Sequence, residues 1–241
     1  MRLVYNKKVV NYTLKYKNPM KKLFLAVFLL SSLLVLSAGA TSHLTGKIIA
    51  LDAGHGSSAT DVGTTGYCDG TPVKEVDVNL KVRAELKTKL ETDGAIVFEV
   101  PQLSSRKERV EAAEAAGANV LISIHHNGST DTTADYTQTF ITQNSDKKLA
   151  NPIHKALVAV LGLPDHGIKH DGYGMTVYGS IPSILTEAYF ITDTDEACDF
   201  LTTEQARVQQ EVGAFYDGLN TYFSGDTGGS CSPGQAKQGK C

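Results

Sequence analysis

The chain has 241 residues, 41% of them hydrophobic, and a formal net charge of −3. That is enough apolar material for one full core. No basic excess is present to hold a phosphate backbone, so nucleic acid is not an expected partner.

Met20-Lys21-Lys22 is followed by an apolar run from Leu23 to Leu36 and then by Ser37-Ala38-Gly39-Ala40. A basic start, about 14 apolar or small residues and an A-x-A ending form a secretory signal peptide. The run is short of the roughly 20 residues a membrane-spanning helix needs. Residues 1–40 are therefore expected to be a leader, starting in effect at Met20 and cleaved after Ala40. The product is an exported protein, periplasmic or extracellular, with no stable membrane anchor after cleavage. Several positive charges lie in the leader, so the remainder is more acidic than the whole.

From Lys47 onward, strand and helix signals alternate. Lys47–Leu51 is a short apolar strand. Val78, Val82, Leu86 and Leu90 recur every fourth position, which predicts an amphipathic helix over Val76–Leu90, ended by Asp93-Gly94. Ala95–Val100 reads as a second strand, Arg106–Ala116 as an Ala- and Glu-rich helix closed by Gly117, and Val120–Ile124 as a buried strand. Tyr136–Thr142 alternates like a strand at a sheet edge, and Leu149–Leu161 is a helix with Pro152 in its first turn. Met175–Tyr178 and Ser183–Ala188 read as strands, and Thr203–Phe223 as a long closing helix. Strands separated by helices predict an α/β fold: a mainly parallel, twisted sheet of about six strands with helices on both faces. One domain is expected over 41–223. The Gly-, Ser-, Lys- and Gln-rich segment 224–241 reads as a flexible tail, and a monomer is expected.

All 4 cysteines lie beyond the leader, in a chain bound for an oxidising compartment where disulfides persist. Sequence alone allows three pairings; Cys68–Cys198 joining two loops and Cys231–Cys241 closing the tail are favoured. None forms a C-x-x-C pair, so a cysteine zinc site is not indicated.

Ligands in parallel sheets bind beyond the carboxyl ends of the strands. His55 falls just after the first strand, His125 and His126 end the third, and Glu187 ends the last. His55 lies in a turn between Gly54 and Gly56, which keep bulk away from an approaching ion. Glu75 opens a helix, where a carboxylate is also favourable against the helix dipole. Two imidazoles and a carboxylate make a three-ligand set that leaves the fourth tetrahedral position of a zinc ion open. His125 and His126 point to opposite faces of their strand, so only one of them can face the site. Glu187 stands in the apolar run Ile184–Ile191, where a carboxylate is costly unless it is paired or functional.

Four segments in this order carry a resemblance. They are Asp52-Ala53-Gly54-His55-Gly56, Glu75-Val76-Asp77-Val78-Asn79-Leu80, Ser123-Ile124-His125 and Glu187-Ala188-Tyr189-Phe190-Ile191. Over about Lys47 to Phe223 the chain resembles the zinc-dependent N-acetylmuramoyl-L-alanine amidases that cut bacterial peptidoglycan. The resemblance implies one Zn2+ per chain held by His55, Glu75 and His125, with Glu187 as catalytic base and peptidoglycan as the partner. His126 then takes a rim or structural role. The bond cut would be the amide between the lactyl group of N-acetylmuramic acid and L-alanine. The resemblance assigns no substrate-binding residue. Arg109 matches an arginine of the family's helix and is expected to be structural.

Two departures stand out: the turn Ser57–Gly63 is longer than usual, and Ala188-Tyr189 replaces a common Thr-Gly or Ser-Gly. The stretch from His125 to Glu187 is too short for the long blocking helix of some relatives, so an open site is expected. His166 and His170 flank a Gly-rich loop where they could line the cleft; His43 and His154 carry no assigned chemistry. The rival readings are a zinc peptidase or deacetylase acting on another amide, and a non-catalytic wall-binding domain.

Overall fold

The computed structural model describes residues 42–171 and 173–225. The expected leader with its cleavage site, the favoured Cys231–Cys241 pairing and nearly all of the segment read as a tail lie outside these residues. Among the described residues, no helix is long and apolar enough to cross a membrane.

The described residues form eight strands and six α-helices in order: β1 (Ile48–Ala53), β2 (Thr65–Cys68), β3 (Thr71–Lys74), α1 (Glu75–Thr92), β4 (Ile96–Glu99), α2 (Arg106–Ala115), β5 (Val120–Asn127), β6 (Thr137–Ile141), α3 (Lys147–Leu161), β7 (Asp165–His170), α4 (Gly174–Val177), β8 (Ser183–Phe190), α5 (Thr194–Phe200) and α6 (Ala206–Ser224). The main sheet has six strands in the order β4-β1-β5-β8-β6-β7. Strands β4, β1, β5 and β8 are parallel, β6 is antiparallel to β8, and β7 is parallel to β6.

The inner strands β1, β5 and β8 read as near-continuous apolar runs because both their faces are covered. Ile49, Leu51, Ile122, Ile124 and Ile184 pack with Val82 and Leu86 of α1, Ile153 and Leu157 of α3, and Phe215 and Leu219 of α6. On the other face Ala50, Leu121, Phe140 and Leu185 meet Val110 and Ala113 of α2 and Met175 of α4. The mainly parallel sheet with helices on both faces is thus as expected.

Three local expectations are corrected. The strand at Tyr136–Thr142 is not an edge strand. It lies between β8 and β7, and β7 takes the edge. The Asp165–His170 segment hides this in sequence because an exposed edge strand carries polar side chains. Met175–Tyr178 is not a strand; Gly174–Val177 is a single helical turn, too short to show a period. The third helix begins at Lys147, so Pro152 sits beyond its first turn. Its missing N–H deprives the carbonyl of Lys148, an exposed residue.

A small hairpin, β2–β3, runs directly into α1. Its turn residues Asp69 and Gly70 have φ of 48° and 79°, the two positive values a tight type I′ turn demands. Cys68 of this hairpin is disulfide-bonded to Cys198 of α5 across a sequence separation of 130 residues, as favoured from the sequence. Closing so long a loop removes about 4–5 kcal/mol of unfolded-state entropy in the chain-entropy account. The double change Cys68→Ser/Cys198→Ser is therefore expected to lower Tm by roughly 10 °C in a scanning calorimetry comparison. An unchanged Tm would show that the bridge adds nothing to the fold.

Candidate active site

The site lies at the carboxyl ends of β1, β5 and β8, where it joins the start of α1. The turn after β1 carries His55, a non-glycine residue with φ of 66°. That left-handed backbone is uncommon outside glycine and needs external support. Arg109 of α2 provides it, donating to the backbone carbonyls of Ala53 and His55 at 3.1 and 2.7 Å and to Asp52 Oδ1 at 2.9 Å. Gln102 Nε2 donates to the same two carbonyls, each at 2.8 Å. Arg109 is structural, as the sequence suggests, and its object is the His55 turn. Asp52 completes the clamp by accepting from Ser123 Oγ at 2.7 Å.

Glu75 opens α1 and turns both carboxylate oxygens on the histidines. Its Oε2 lies 3.2 Å from His55 Nε2, and its Oε1 lies 2.9 Å from His125 Nδ1. Among the described residues, His55, Glu75 and His125 form the group whose ligating atoms all lie within 4.8 Å of one another. Their surroundings fit a cation. A Cβ added at Gly54 would fall inside the His125 ring, and one at Gly63 would strike Glu75 and His55, so both glycines keep the cluster clear. Burial alone would raise the Glu75 carboxyl, yet hydrogen bonds and charge from His125 and His55 hold it well below the usual range. Its hydrogen bond to Glu75 pushes the His55 imidazole up to about 9 against its own burial, with Asp61 adding to the effect. The cluster attracts positive charge.

Asp61 is the residue that sequence reasoning missed. It accepts at Oδ1 from His55 Nδ1 at 2.9 Å, and at Oδ2 from the hydroxyl and backbone N–H of Ser57 at 2.7 and 3.1 Å. Those bonds, Ser57 first and His55 second, lower its carboxyl to about 2. A metal-binding histidine commonly gives its second N–H to a carboxylate, which sets the ring and its tautomer. The requirement for such a partner was the available signal. The long turn Ser57–Gly63 thus delivers a carboxylate to the back of His55.

Glu187 stands on β8 in direct register with His125 on β5. The residue faces the cleft but its Oε2 is buried without a hydrogen-bond partner. Burial pushes its carboxyl up to about 7, with His125 opposing and Glu75 reinforcing. A buried carboxyl with an unpaired oxygen beside a cation-seeking cluster is poised to exchange a proton near neutral pH.

The cleft has a volume of about 420 Å³ and includes His55, Glu75, His125 and Glu187 in its lining. Among the described residues between His125 and Glu187, the regular elements are the end of β5, β6, a 3-10 turn, α3, β7, the four-residue α4 and the start of β8, with no long extra helix. His126 takes the structural one of its two expected roles: its side chain is buried, held between Asn79 and Glu211. His166 and His170 do not line the cleft. They sit on β7, with His166 stacked on Tyr136 at 3.6 Å, because that strand lies two places from β8. His154 is structural, held between Thr139 Oγ1 at 3.0 Å and Asp165 Oδ1 at 2.8 Å.

Comparison with known proteins agrees with this geometry. The family model described as N-acetylmuramoyl-L-alanine amidase matches residues 49–220. YqiI, an uncharacterized protein of Bacillus subtilis, is 32% identical over 197 residues, covering 77% of this chain and 89% of its own. The N-acetylmuramoyl-L-alanine amidase LytC of Bacillus subtilis is 32% identical over 191 residues, which is 74% of this chain but 36% of LytC. The catalytic domain of CwlV, an N-acetylmuramoyl-L-alanine amidase from Bacillus (Paenibacillus) polymyxa, has a TM-score of 0.66 at 26% identity, covering 74% of this chain and 98% of that one. With the family model spanning most of the chain and the fold shared, the chain belongs to the N-acetylmuramoyl-L-alanine amidase family.

Proposed function

We propose that this protein is a zinc-dependent amidase, exported and acting as a monomer, that hydrolyses the bond between N-acetylmuramic acid and L-alanine in peptidoglycan. The observation that carries the reading is the cluster of His55, Glu75 and His125 within 4.8 Å beside the partnerless carboxylate oxygen of Glu187. His55 Nε2, a Glu75 oxygen and His125 Nδ1 would hold the zinc, which supplies Lewis-acid polarisation of the amide carbonyl and acidifies water.

Glu187 is the base. Its carboxylate takes a proton from the attacking water as the new C–O bond forms. It then returns that proton to the alanine nitrogen as the C–N bond breaks. Burial pushes the carboxyl of the metal-free protein up to about 7, which makes it a better proton acceptor than a solvated carboxylate. Asp61 holds the His55 ring, and Arg109 holds the backbone that presents it. A cleft without a long extra helix among the described residues between His125 and Glu187 fits a polymeric substrate that must lie across the site.

Mass spectrometry of purified sacculi digested with and without a metal chelator tests this reading. The expected product is free stem peptide with an N-terminal L-alanine, lost when chelator is present. Cleavage only within the stem peptide, or release of acetate, would reassign the protein to a peptidase or deacetylase. Binding to sacculi with no released peptide would make it a wall-binding domain.

A further inference from the structure

A buried hydrogen-bonded chain runs from α6 to the back of the metal cluster, and the chemistry above makes no use of it. It begins at Glu211, which is fully buried. Glu211 Oε2 lies 2.9 Å from His126 Nε2, while its Oε1 has no hydrogen-bond partner. His126 adjoins His125 on β5 but faces the opposite side of the sheet, under the ring of Tyr189 at 4.4 Å. Its Nδ1 lies 2.7 Å from Asn79 Oδ1. Asn79 follows Glu75 by one turn of α1, and its amide nitrogen reaches the Gly54 carbonyl at 3.2 Å and Glu75 Oε1 at 3.4 Å.

Donors and acceptors allow one direction along this chain. The Gly54 carbonyl and an ionised Glu75 can only accept, so Asn79 must turn its NH2 toward them. Its Oδ1 then accepts, and His126 Nδ1 must carry a proton. Glu211 holds the other ring nitrogen and fixes the imidazole in place. A flipped Asn79 would set its carbonyl oxygen against the Glu75 carboxylate and its NH2 against the His126 N–H. Stability alone does not account for the arrangement. A buried ionisable pair is often no more stable than apolar residues of the same volume, and here one carboxyl oxygen is left unpaired.

We infer that Glu211, His126 and Asn79 form a positioning relay that locks the Asn79 amide onto Glu75 Oε1 and thereby sets the affinity and geometry of the metal site. This rests on Glu75 being a metal ligand. The three residues touch neither substrate nor reacting atoms, so their effect is on the ligand and not on the chemistry directly. Glu75 Oε1 also accepts from the backbone N–H of His126 at 3.3 Å, so the relay and the ligand strand act on the same oxygen.

The test uses the full chain, stripped of metal and titrated with Zn2+ against a chromophoric chelator. Visible absorption of the Co2+-loaded protein gives a second readout of ligand geometry. Asn79→Leu removes the amide without adding charge. It is expected to weaken zinc binding by roughly 10- to 100-fold, the usual effect of losing an outer partner of a ligand, and to shift the Co2+ bands. Should that variant not fold, Asn79→Ala removes the same amide with less bulk and is read in the same way. Glu211→Leu is expected to weaken zinc as well. Glu211→Gln can still hydrogen-bond His126 Nε2 and is expected to keep near-wild-type affinity. Lowered Tm with unchanged zinc affinity and Co2+ spectrum across the folded variants would overturn the relay while leaving the metal reading intact. Wild-type protein that binds no zinc would overturn both.

Discussion

Replacing Glu187 with Gln is expected to leave zinc content unchanged and to lower amidase turnover by about 100-fold or more, the scale of a positioned acid–base group. The change keeps the side chain's size and removes its capacity to carry the proton. Glu187 is not among the three clustered ligating residues, so metal should stay. Zinc content and rate must be measured on one preparation, together with binding to sacculi. A variant that loses its zinc would make Glu187 a ligand or a support for one. Near-normal turnover would place the base elsewhere.

The same variant has an opposite effect on stability. Burial lifts the Glu187 carboxyl from 4.5 to about 7. The unfolded chain releases this proton above about 4.5 and the folded metal-free protein holds it to about 7, so stability falls as pH rises through that window. Below 4.5 both states are protonated and the group contributes nothing to the pH slope; above 7 the whole penalty is present. Glu187→Gln removes the penalty. Metal-free variant should therefore melt above metal-free wild type at pH 8, with the difference shrinking toward pH 4. A gap that does not change with pH would show that the carboxyl is not held protonated.

The second large effect concerns the adjacent histidines. His125→Ala is expected to abolish retained zinc, from about one ion per chain to none after dialysis, because it deletes one of three ligands. His126→Ala leaves all three ligating side chains in place. It should retain zinc at saturating metal, with the weakened affinity that loss of the relay implies. Metal analysis by atomic emission on both variants separates them. Complete loss in both would mean that His126 is as necessary to the site as its neighbour, and would undo the division of roles between the two faces of β5.

Much of the fold was legible because its central strands are buried on both faces and its long helices repeat their apolar residues with a helical period. Val78, Val82, Leu86 and Leu90 announce α1, and all four are buried in the core. Elements without such a period were lost. β7 is exposed and polar, α4 has four residues, and the β2–β3 hairpin is announced only by Asp69-Gly70. That dipeptide was a usable signal, since a two-residue hairpin turn demands positive φ at both positions.

The candidate site divides in the same way. His55, Glu75, His125 and Glu187 suit a three-ligand metal site with a base by residue type and by their place at strand and helix ends, and it is the resemblance to the amidase family that assigns their roles and selects His125 over His126. The structure brings all four to one cleft. Sequence by itself determined the alternating α/β order and the fact that only one of two adjacent histidines can face the site, and its resemblance to the family named the candidate ligands. Tertiary structure decided that Asp61 stands behind His55, that Arg109 holds the His55 turn, and that Glu211, 85 residues from His126, closes the relay behind Glu75. The reason is physical. Periodicity and motif report what a residue does along its own element, whereas a hydrogen-bond partner is set by which elements pack together, and no local pattern in α6 marks the one carboxylate that meets β5.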